Sequence, residues 1–570
     1  MIYRTEHPKP QFMRQSWENL NGEWEFEIDQ SDSGAARGLM RPEAVYSDRI
    51  QVPFCPESRL SGIAHTDFLN AVWYRRSFSI SRQQLEKCVV LHFGAVDYEA
   101  HVYVNGRECG SHRGGYVSFC FDISAFVREG ENILTVQAVD HVRDRSVPSG
   151  KQSVEFASAG CFYTRTTGIW QTVWLEFMPK IHLVSAKYTT DLDVPSLHIE
   201  AETTGAALLR AEAFYEGRPV GCGEVRSQGG PAALTLELSE KHLWEVGHGR
   251  LYDLVLTCGE DRVESYFGLR SVRLDGYRFL LNGKSVFQRL VLDQGFYPDG
   301  IYTAPDDREL IGDIDRSLAM GFNGARLHEK VFEERFLYHC DRKGYLVWGE
   351  YPNWGLDHSY PEAVYGILPE WIEEVKRDFN HPAIIGWCPF NETWDQGGRK
   401  QEDGLLSLVY QTTKAMDSTR PCIDTSGNFH VMTDIFDVHN YEQDPALFAQ
   451  YYEKLPVDGT FRDQFADRQH YRVGQPTFVS EYGGIGWTDQ AEGWSYGNAP
   501  KTKEEFLSRL KGLTDALLDN PCMLGLCYTQ LTDVEQERNG LYTYDRRPKF
   551  PPEAIYPIFA RKAAIEDGIT

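Results

Sequence analysis

Two glutamates stand at the ends of short apolar runs in the second half of the chain. Asn391-Glu392 follows the run 383–390, and Glu481 follows the run 477–480. Both runs are too short for a helix and are bounded by Pro or Gly, so each is predicted to be a β-strand that ends in a carboxylate. Cleavage of a glycosidic bond needs such a pair. One carboxyl group protonates the leaving oxygen while the other attacks or activates water, and in retaining enzymes the two lie about 5 to 5.5 Å apart.

The elements that must position this pair are predicted to form a (β/α)₈ barrel. From Asp275 onward, strand-like runs alternate with amphipathic stretches of period near 3.6. Eight such units in about 300 residues are typical of this barrel, in which the site lies at the C-terminal ends of the strands. Glu392 then ends strand four and Glu481 ends strand seven. The eight strand candidates are 286–291, 322–327, 345–350, 384–390, 422–427, 435–441, 477–482 and 523–531, and the main helical stretches are 306–320, 331–343, 362–379, 401–416, 503–519 and 552–566.

The first 271 residues read as β-structure. Residues 1–179 contain short alternating runs separated by Gly, Asn and Asp, which predicts a jelly-roll sandwich. Residues 180–271 predict a smaller immunoglobulin-like sandwich. The chain is therefore predicted to have three domains, with the catalytic barrel at 272–570.

Composition narrows the class of partner and the compartment. The formal charge of −25 argues against nucleic acid, which is bound through clustered Lys and Arg. Twelve cysteines are scattered without CxxC or His/Cys clusters, so neither a metal site, a disulfide framework nor a cofactor is indicated. The N-terminus lacks the apolar core of a signal peptide, and no run of 18 apolar residues occurs. A cytoplasmic protein with no membrane partner is expected, and a homo-oligomer is left open.

Several phrases together resemble glycoside hydrolase family 2, the group of β-galactosidases, β-glucuronidases and β-mannosidases. The resemblance covers essentially the whole chain, and as a set these motifs are highly specific. The phrases that carry it are Trp17 to Phe26, Asn105-Gly106, Gly168-Ile169-Trp170-Gln171, Phe267-Gly268-Leu269-Arg270, Asn380-His381-Pro382, Asn391-Glu392 and Ser480-Glu481-Tyr482-Gly483.

The resemblance implies a role for each residue of the pair. Glu392 would be the general acid/base and Glu481 the nucleophile of a double displacement. Asn391 would bind the 2-hydroxyl of the sugar. Arg326 after strand two and Tyr441 after strand six match positions that keep the nucleophile ionised and oriented.

Glu392 itself is expected to have a raised pKa, from the nearby carboxylate or from a dry neighbourhood formed by Trp387, Phe390 and Trp394.

The candidate sugar contacts are Asp293, Glu350, His439 and Tyr528 at strand ends, and Trp487 and Trp494 just past the nucleophile.

The prediction for the sugar depends on the residues after strand eight and on three basic residues. In this family, glucuronidases carry Asn-x-Lys-Gly after strand eight, and the Asn and Lys grip the substrate carboxylate; here the matching residues are Glu537-Arg538-Asn539-Gly540. Because the lysine is missing, we expect a neutral sugar and an exo-acting, retaining, β-galactosidase-like hydrolase that acts on an oligosaccharide or glycoside. Arg165, Arg538 or Lys330 could still bind a uronate carboxylate, so a β-hexuronidase (β-galacturonidase or β-glucuronidase) is the main alternative.

Three further observations bear on the remaining alternatives. Thr393-Trp394-Asp395 follows the acid/base in place of the Ser-Gly common in large β-galactosidases, which weakens the case for lactose. A non-catalytic carbohydrate-binding protein is disfavoured because both glutamates and Asn391 are present. An endo-acting glycanase is disfavoured because a jelly roll beside a barrel predicts a blocked pocket.

Overall fold

The computed structural model describes residues 2–488 and 493–567. Its first part folds into two antiparallel sheets, ordered β1-β12-β5-β9 and β3-β2-β4-β10-β7-β8, with a short β6–β11 pair between them. The twelve strands are β1 (Trp17–Asn19), β2 (Gly22–Ile28), β3 (Asp48–Val52), β4 (Ala71–Ile80), β5 (Cys88–Phe93), β6 (Val96–Asp97), β7 (Glu99–Val104), β8 (Arg107–Arg113), β9 (Phe119–Asp122), β10 (Gly130–Val139), β11 (Gly168–Ile169) and β12 (Val173–Met178), with helices α1 (Gly34–Arg37) and α2 (Arg82–Leu85) between strands.

Alternation of apolar and polar residues explains why these strands form a sandwich. In β7 the side chains of Ala100, Val102 and Val104 are buried, while those between them are only partly covered. The buried set joins one apolar cluster with residues of β2, β4, β5, β10 and β12. The two sheets therefore share a single core.

The next part of the chain is a second β-sheet whose long strands change partner midway. Residues 196–203 of β14 pair with β13, and residues 209–214 pair with β16, with a register shift between Thr203 and Ala206. This change of partner lets one sheet cover its own apolar cluster, which includes Leu197, Leu209 and Leu256. The strands are β13 (Leu183–Asp191), β14 (Ser196–Tyr215), β15 (Arg218–Glu237), β16 (Tyr252–Cys258) and β17 (Asp261–Phe267).

A small three-stranded sheet leads into the last part, where seven parallel strands curl in the order β24-β23-β22-β21-β27-β26-β25. Their short runs are buried along their whole length apart from one partly covered position in β25, as expected for parallel strands covered by helices. The strands are β18 (Val272–Asp275), β19 (Arg278–Leu281), β20 (Lys284–Ser285), β21 (Gln288–Asp293), β22 (Gly324–Leu327), β23 (Leu346–Glu350), β24 (Ile384–Cys388), β25 (Phe436–Asn440), β26 (Thr477–Gly483) and β27 (Met523–Thr529).

Helices cover the outside of these strands. Asp306 caps α3 by accepting hydrogen bonds from the amides of Arg308 and Glu309, and Thr502 caps α9 in the same way. The helices are α3 (Asp307–Ala319), α4 (Glu334–Lys343), α5 (Val364–Asp378), α6 (Asp403–Met416), α7 (Pro445–Tyr452), α8 (Leu455–Asp458), α9 (Lys503–Leu518) and α10 (Pro552–Phe559), with 3₁₀ turns at Pro361–Ala363 and Ala564–Glu566. The predicted class, β-sandwiches followed by a (β/α)₈ barrel, is confirmed.

The prediction of a regular fifth strand at 422–427 is wrong. This segment meets β24 only at two isolated parallel bridges, Trp387 to Cys422 and Asn391 to Ser426. On its other side the Asp437 carboxylate accepts hydrogen bonds from Ser426 Oγ at 2.6 Å and from the Gly427 amide at 3.1 Å. A buried side chain thus replaces a backbone ladder and closes the barrel at this point.

The predicted domain boundaries stay predictions. The boundary after residue 179 falls between β12 and β13, and the boundary after residue 271 falls between β17 and β18. No helix in the described parts of the chain is long and apolar enough to cross a membrane.

Arg14 holds three parts of the chain together. Its guanidinium donates to both carboxylate oxygens of Asp261 at 2.9 Å, to Glu176 Oε2 at 2.9 Å and to the Leu183 carbonyl at 2.6 Å. Glu176 belongs to the first sandwich, and Leu183 and Asp261 belong to the second. All of these groups are buried, so the arginine is the cation that compensates two buried carboxylates.

Replacing Arg14 with Met is therefore expected to lower the free energy of unfolding by about 3 to 5 kcal/mol, because two buried carboxylates lose their cation. Differential scanning calorimetry would show the loss as a lower first transition. Arg262→Met is the control: this exposed arginine faces Glu264 at 3.6 Å, and its loss should cost about 0.5 kcal/mol or less. Equal melting of the two variants would contradict the role given to Arg14.

Candidate active site

The structure brings Glu392 and Glu481 together at the C-terminal edge of the barrel. Ligand atoms of Glu392, His439 and Glu481 all lie within 4.8 Å of one another. Glu481 lies in β26 and is almost fully buried, whereas Glu392 follows β24 and keeps 17% of its side chain exposed. Parallel strands deliver their C-terminal ends to the same edge, which explains how residues so far apart in sequence meet.

Two donors hold the Glu481 carboxylate. Arg326 Nη1 donates to Oε1 at 3.2 Å, and the Tyr441 hydroxyl donates to Oε2 at 2.5 Å. Hydrogen bonds to the charged form of a carboxylate stabilise that form and fix its orientation. Glu481 is therefore arranged as an oriented anion, as a nucleophile must be.

Arg326 connects both halves of the site. It lies in β22 with 2% of its surface exposed, and its guanidinium also donates to the Ser480 carbonyl at 2.8 Å and to Asn391 Oδ1 at 3.1 Å. Its Nε donates to Glu350, whose other oxygen lies 3.2 Å from His328 Nδ1. Glu350 was predicted to contact sugar, but both of its oxygens are occupied, so its place is behind Arg326.

The backbone at Glu392 has an unusual conformation. Its φ of +45° lies in the left-handed region, which costs a non-glycine residue about 1 to 3 kcal/mol. Neighbouring groups enforce it: the Glu392 amide donates to the Ser426 carbonyl at 2.9 Å, and the Asn391 carbonyl accepts from Trp354 Nε1 at 3.0 Å and Asn353 Nδ2 at 3.2 Å. The segment 422–427 and the loop after β23 thus hold the carboxylate in place.

His439 lies between the two glutamates. Its Nδ1 is 2.6 Å from Glu392 Oε1 and 3.4 Å from Glu481 Oε2, and its Nε2 is 3.0 Å from Ser426 Oγ. Burial lowers the pKa of this imidazole, but the charge of Glu481 and the hydrogen bond to Glu392 outweigh burial and raise it above the usual value. The unliganded site thus favours an imidazolium between two carboxylates.

The same contact reverses the expectation for Glu392. Burial raises the pKa of the Glu392 carboxyl, but the hydrogen bond and the charge of His439, together with Trp394 Nε1 at 3.0 Å, lower it to about 2. The predicted raised pKa is therefore wrong for the unliganded site. Trp394 acts as a donor, and Trp387 packs against Trp371 and donates to Asp417. Burial therefore acts in the expected direction, but the contact with His439 outweighs it.

A cavity of about 610 Å³ opens onto Glu392, and the sandwich and the barrel share its wall. The cavity is lined from the sandwich side by Val142, Arg143, Arg145, Val154, Glu155 and Phe162, and from the barrel side by Trp354, Gly355, His358, Glu392, Trp394 and Gln396.

Family profiles cover more than half of the chain. One described as "Glycosyl hydrolases family 2, sugar binding domain" matches residues 17–176, and one described as "Glycosyl hydrolases family 2, TIM barrel domain" matches residues 277–504. The chain belongs to glycoside hydrolase family 2. This membership makes it a glycosidase, as the paired glutamates predicted.

Several proteins are similar to this family 2 chain. A β-glucuronidase of Streptococcus agalactiae is 24% identical over 93% of the chain and 94% of its own length. A putative β-glucuronidase of Formosa agariphila is 26% identical over 72% of the chain and 50% of its own length. A β-galactosidase of Thermoanaerobacter pseudethanolicus is 26% identical over 62% of the chain and 48% of its own length. The crystal structure of Ruminococcus gnavus β-glucuronidase shares the fold, with a TM-score of 0.81 at 19% identity over 98% of the chain and 99% of that structure.

Four predicted sugar contacts of the family 2 site pack against other groups of the protein, and their contact with a sugar stays a prediction. Asp293 accepts from the Gly295 amide at 2.9 Å, and burial and then the charge of Asp313 raise its pKa to about 6. Tyr528 packs between Tyr482 and Phe559. The ring of Trp487 contacts Phe506 and Phe550 and so belongs to the core. Trp494 lies one layer back, because its ring contacts Tyr496, which stacks on Tyr441 at 3.7 Å.

The three cations proposed to meet a uronate are already engaged. Arg165 donates to the carbonyls of Ser153, Glu155 and Thr66 and covers the ring of Phe68. Lys330 donates to the carbonyls of Gly295 and Tyr302, and burial lowers its pKa to about 7. Arg538 faces Asp533 at 3.7 Å. In this structure the three cations pair with backbone carbonyls and Asp533, and their contact with a sugar stays a prediction.

Sequence reasoning missed the residues that the loops contribute. Lys151, Tyr163, Asn353 and Trp354 lie outside the predicted strands, so no strand-end rule points to them. A signal existed for Tyr163 only in its place just before the Gly168-Ile169-Trp170-Gln171 phrase. Its hydroxyl donates to Glu537, the residue where glucuronidases of the family carry Asn.

Glu392, His439 and Glu481 converge closely enough to hold a cation. Glu481 and His439 already contact Arg326, however, and His439 contacts Glu392, so a metal ion would have to displace the guanidinium and remove the proton from His439. Within residues 2–488 and 493–567, no other group of three acidic, His or Cys side chains converges in this way.

Replacing His439 with Asn tests the shared proton. In the wild type, the Glu392–His439 pair keeps its proton until the raised pKa of His439 is passed, so the alkaline limb of kcat/KM should follow that histidine. In the variant, only the carboxyl group can hold the proton, and we expect the alkaline limb to move to lower pH by about one unit.

The measurement is the pH profile of kcat/KM for both proteins. Tyr471→Phe, in a packed cluster with Phe436 and Phe461, is the control and should leave the limb in place. An alkaline limb that does not move in His439→Asn would show that His439 does not hold the proton.

Proposed function

We propose that the chain is an exo-acting, retaining β-glycoside hydrolase and that its substrates are β-hexuronides. The observation that carries the reaction type is the Glu392–Glu481 pair, whose carboxylate oxygens lie within 4.8 Å while Arg326 and Tyr441 hold Glu481 as an anion. A separation this short leaves no room for the water molecule that an inverting enzyme places between its carboxyl groups.

The geometry gives each group a step in a double displacement. Glu481 attacks the anomeric carbon and forms a glycosyl ester, while the leaving oxygen takes the proton that His439 passes through the 2.6 Å contact with Glu392. Glu392 then removes a proton from water, whose oxygen attacks the anomeric carbon and releases Glu481. Arg326 donates to Asn391 Oδ1 at 3.1 Å, which supports the assignment of the Asn391 amide to the 2-hydroxyl, a contact that strengthens in the transition state.

The cavity supports exo action. Residues of the sandwich, among them Val142, Glu155 and Phe162, form one wall of the space that opens onto Glu392. A wall beside the acid/base favours a pocket that accepts the end of a glycoside, whereas an endo-acting enzyme needs an open cleft on both sides.

Support for the uronide comes from the relatives. The β-glucuronidase of Streptococcus agalactiae aligns with 93% of the chain, whereas the β-galactosidase of Thermoanaerobacter pseudethanolicus aligns with 62%. This alignment favours the hexuronide over the β-galactoside that the missing lysine of the Asn-x-Lys-Gly motif suggested.

A neutral β-galactoside is the second candidate, because of Glu537. This buried carboxylate stands where glucuronidases of the family carry Asn, and it adds negative charge near the site. Tyr163 and Asn539 donate to its two oxygens, and burial raises its pKa in spite of Lys151. A Glu537 that stays ionised would repel a uronate, whereas a protonated one would not.

Hydrolysis of a chromogenic panel tests the glycone. We expect kcat/KM to be highest for a 4-nitrophenyl β-glucuronide or β-galacturonide, and at least about tenfold lower for the β-glucoside and β-galactoside, since an unmatched neutral group loses a charge-assisted contact. A higher value for the β-galactoside would overturn the hexuronide proposal in favour of the second candidate. No hydrolysis of any β-glycoside would favour a non-catalytic carbohydrate-binding protein.

The two glutamates are tested separately on the best substrate of that panel. Glu481→Gln should abolish turnover, and Glu392→Ala should lose about 10²- to 10⁴-fold on a poor leaving group and far less on 2,4-dinitrophenol. Azide should restore the rate of Glu392→Ala and give a β-glycosyl azide, because it attacks the ester without needing a base. Glu553→Gln, on the first turn of α10, is the control and should keep full activity. Loss without azide rescue in Glu392→Ala would contradict its role.

A further inference from the structure

Lys151 is a buried cation that the catalytic mechanism does not use. It lies in the loop between β10 and β11 of the sandwich, and only 4% of its surface is exposed. Its ammonium sits 4.0 Å from the centre of the Trp354 ring, and Trp354 lines the cavity beside Glu392. The other edge of that indole donates to the Asn391 carbonyl at 3.0 Å. A residue of the sandwich thus reaches the end of barrel strand β24.

The loop that carries Lys151 is fixed on both sides. The amides of Ser149 and Gly150 donate to the Trp354 carbonyl at 2.7 and 3.0 Å, and the Lys151 carbonyl accepts from the Tyr163 amide at 2.8 Å. Gly150 has a φ of +56°, and a Cβ there would lie 2.4 Å from the Glu329 carbonyl oxygen, so a larger residue would push the loop off the barrel. The position of the ammonium is therefore built into the fold.

This ammonium lacks an ionic partner. Among residues 2–488 and 493–567, no carboxylate lies within 4.0 Å of Lys151 Nζ and no acceptor hydrogen-bonds to it. The charge is nevertheless retained: burial lowers the pKa of Lys151, but Cys161, Glu537 and Glu481 outweigh burial and raise it above the usual value. The ammonium therefore keeps its charge in the field of these groups without a direct contact to a carboxylate.

The carboxylates around Lys151 already have partners of their own. Glu481 is held by Arg326 and Tyr441, and both oxygens of Glu537 accept hydrogen bonds from other side chains. Glu329 accepts from the Trp354 amide at 3.1 Å, and burial raises its pKa well above the usual value, which favours its neutral form. None of these carboxylates contacts the ammonium directly, so Lys151 is left as a cation that a ligand carboxylate can contact.

We propose that Lys151 binds the C6 carboxylate of the hexuronide and so selects an acidic glycone, through an ammonium that the sandwich places over Trp354 beside the acid/base. This inference rests on the proposed hexuronidase function. It assigns recognition of the acid to a loop of the first sandwich, whereas Arg165, Lys330 and Arg538 are engaged elsewhere. A single ammonium with no protein counter-ion gains most from a charged group and little from a hydroxyl.

The test compares each uronide with its own neutral amide. The substrates are 4-nitrophenyl β-glucuronide and β-galacturonide and the corresponding C6 carboxamides, which match the acids in shape but carry no charge. In Lys151→Met we expect the ratio of kcat/KM for acid over amide to fall by about 100-fold while the amide value changes by less than about threefold. A ratio that stays constant, or an equal loss on acid and amide, would overturn the role of Lys151.

Two further variants guard the interpretation. Lys187→Met removes a lysine that also covers an aromatic ring, Phe379 at 4.1 Å, but lies on β13 far along the chain, and it should leave the ratio unchanged. Lys151→Arg keeps the charge and should retain at least about a tenth of the wild-type ratio. Loss of the ratio in Lys151→Arg together with intact folding would show that shape, and not charge, is recognised, and would overturn the proposal.

Melting gives a readout that does not depend on turnover. Thermal unfolding of Lys151→Met and Lys151→Arg should keep the cooperative transition of the wild type, so that a changed ratio reports on substrate recognition and not on folding. Failure of the proposed function looks different from failure of this inference: wild-type protein that cleaves only neutral glycosides contradicts the hexuronidase. Wild-type cleavage of a uronide with an unchanged ratio in Lys151→Met contradicts only the role of the lysine.

Discussion

The guanidinium of Arg326 is the interaction on which the rest of the site depends. It is buried at the centre of the barrel mouth, where it pairs with Glu350 and Glu481 and also donates to Ser480 and Asn391. A buried arginine of this kind must satisfy all of its N–H groups, and it does so by collecting the ends of β23, β24 and β26 around itself. Arg326 thus contacts Glu481 directly and Glu392 only through its neighbour Asn391.

The closure of the barrel follows the same logic. Around segment 422–427 the backbone ladder gives way to side chains, and the carboxylate of Asp437 accepts from Ser426, Gly427 and Ser480. The Ser426 carbonyl also accepts a hydrogen bond from the Glu392 amide, and Ser426 Oγ contacts His439, so the irregular segment holds Glu392 directly. In a regular strand, these backbone groups would be hydrogen-bonded to the neighbouring strands. The departure from ideal geometry is thus where the chemistry is held.

The sequence allowed much of this to be predicted, for identifiable reasons. Short buried runs that alternate with helices are periodic signals, so the sequence could predict that Glu392 and Glu481 stand at strand ends. The pKa of Glu392 could not be predicted, because it depends on a 2.6 Å contact with His439, a residue 47 positions away whose rotamer no pattern encodes. Lys151 was missed because a loop without periodicity carries it. The hydrogen bonds of Arg165 to backbone carbonyls could not be predicted either, because no sequence pattern shows which partners a loop arginine has.

The division of the cavity wall between sandwich and barrel has a consequence for how such proteins diversify. Glu481 lies on β26 and Glu392 follows β24, so the barrel holds both members of the carboxylate pair. The residues that line the cavity from the sandwich side, such as Val142, Glu155 and Phe162, lie between the strands of the sandwich and outside the barrel. Substitutions at such loop positions therefore reshape one wall of the cavity, while the barrel keeps the carboxylate pair in place.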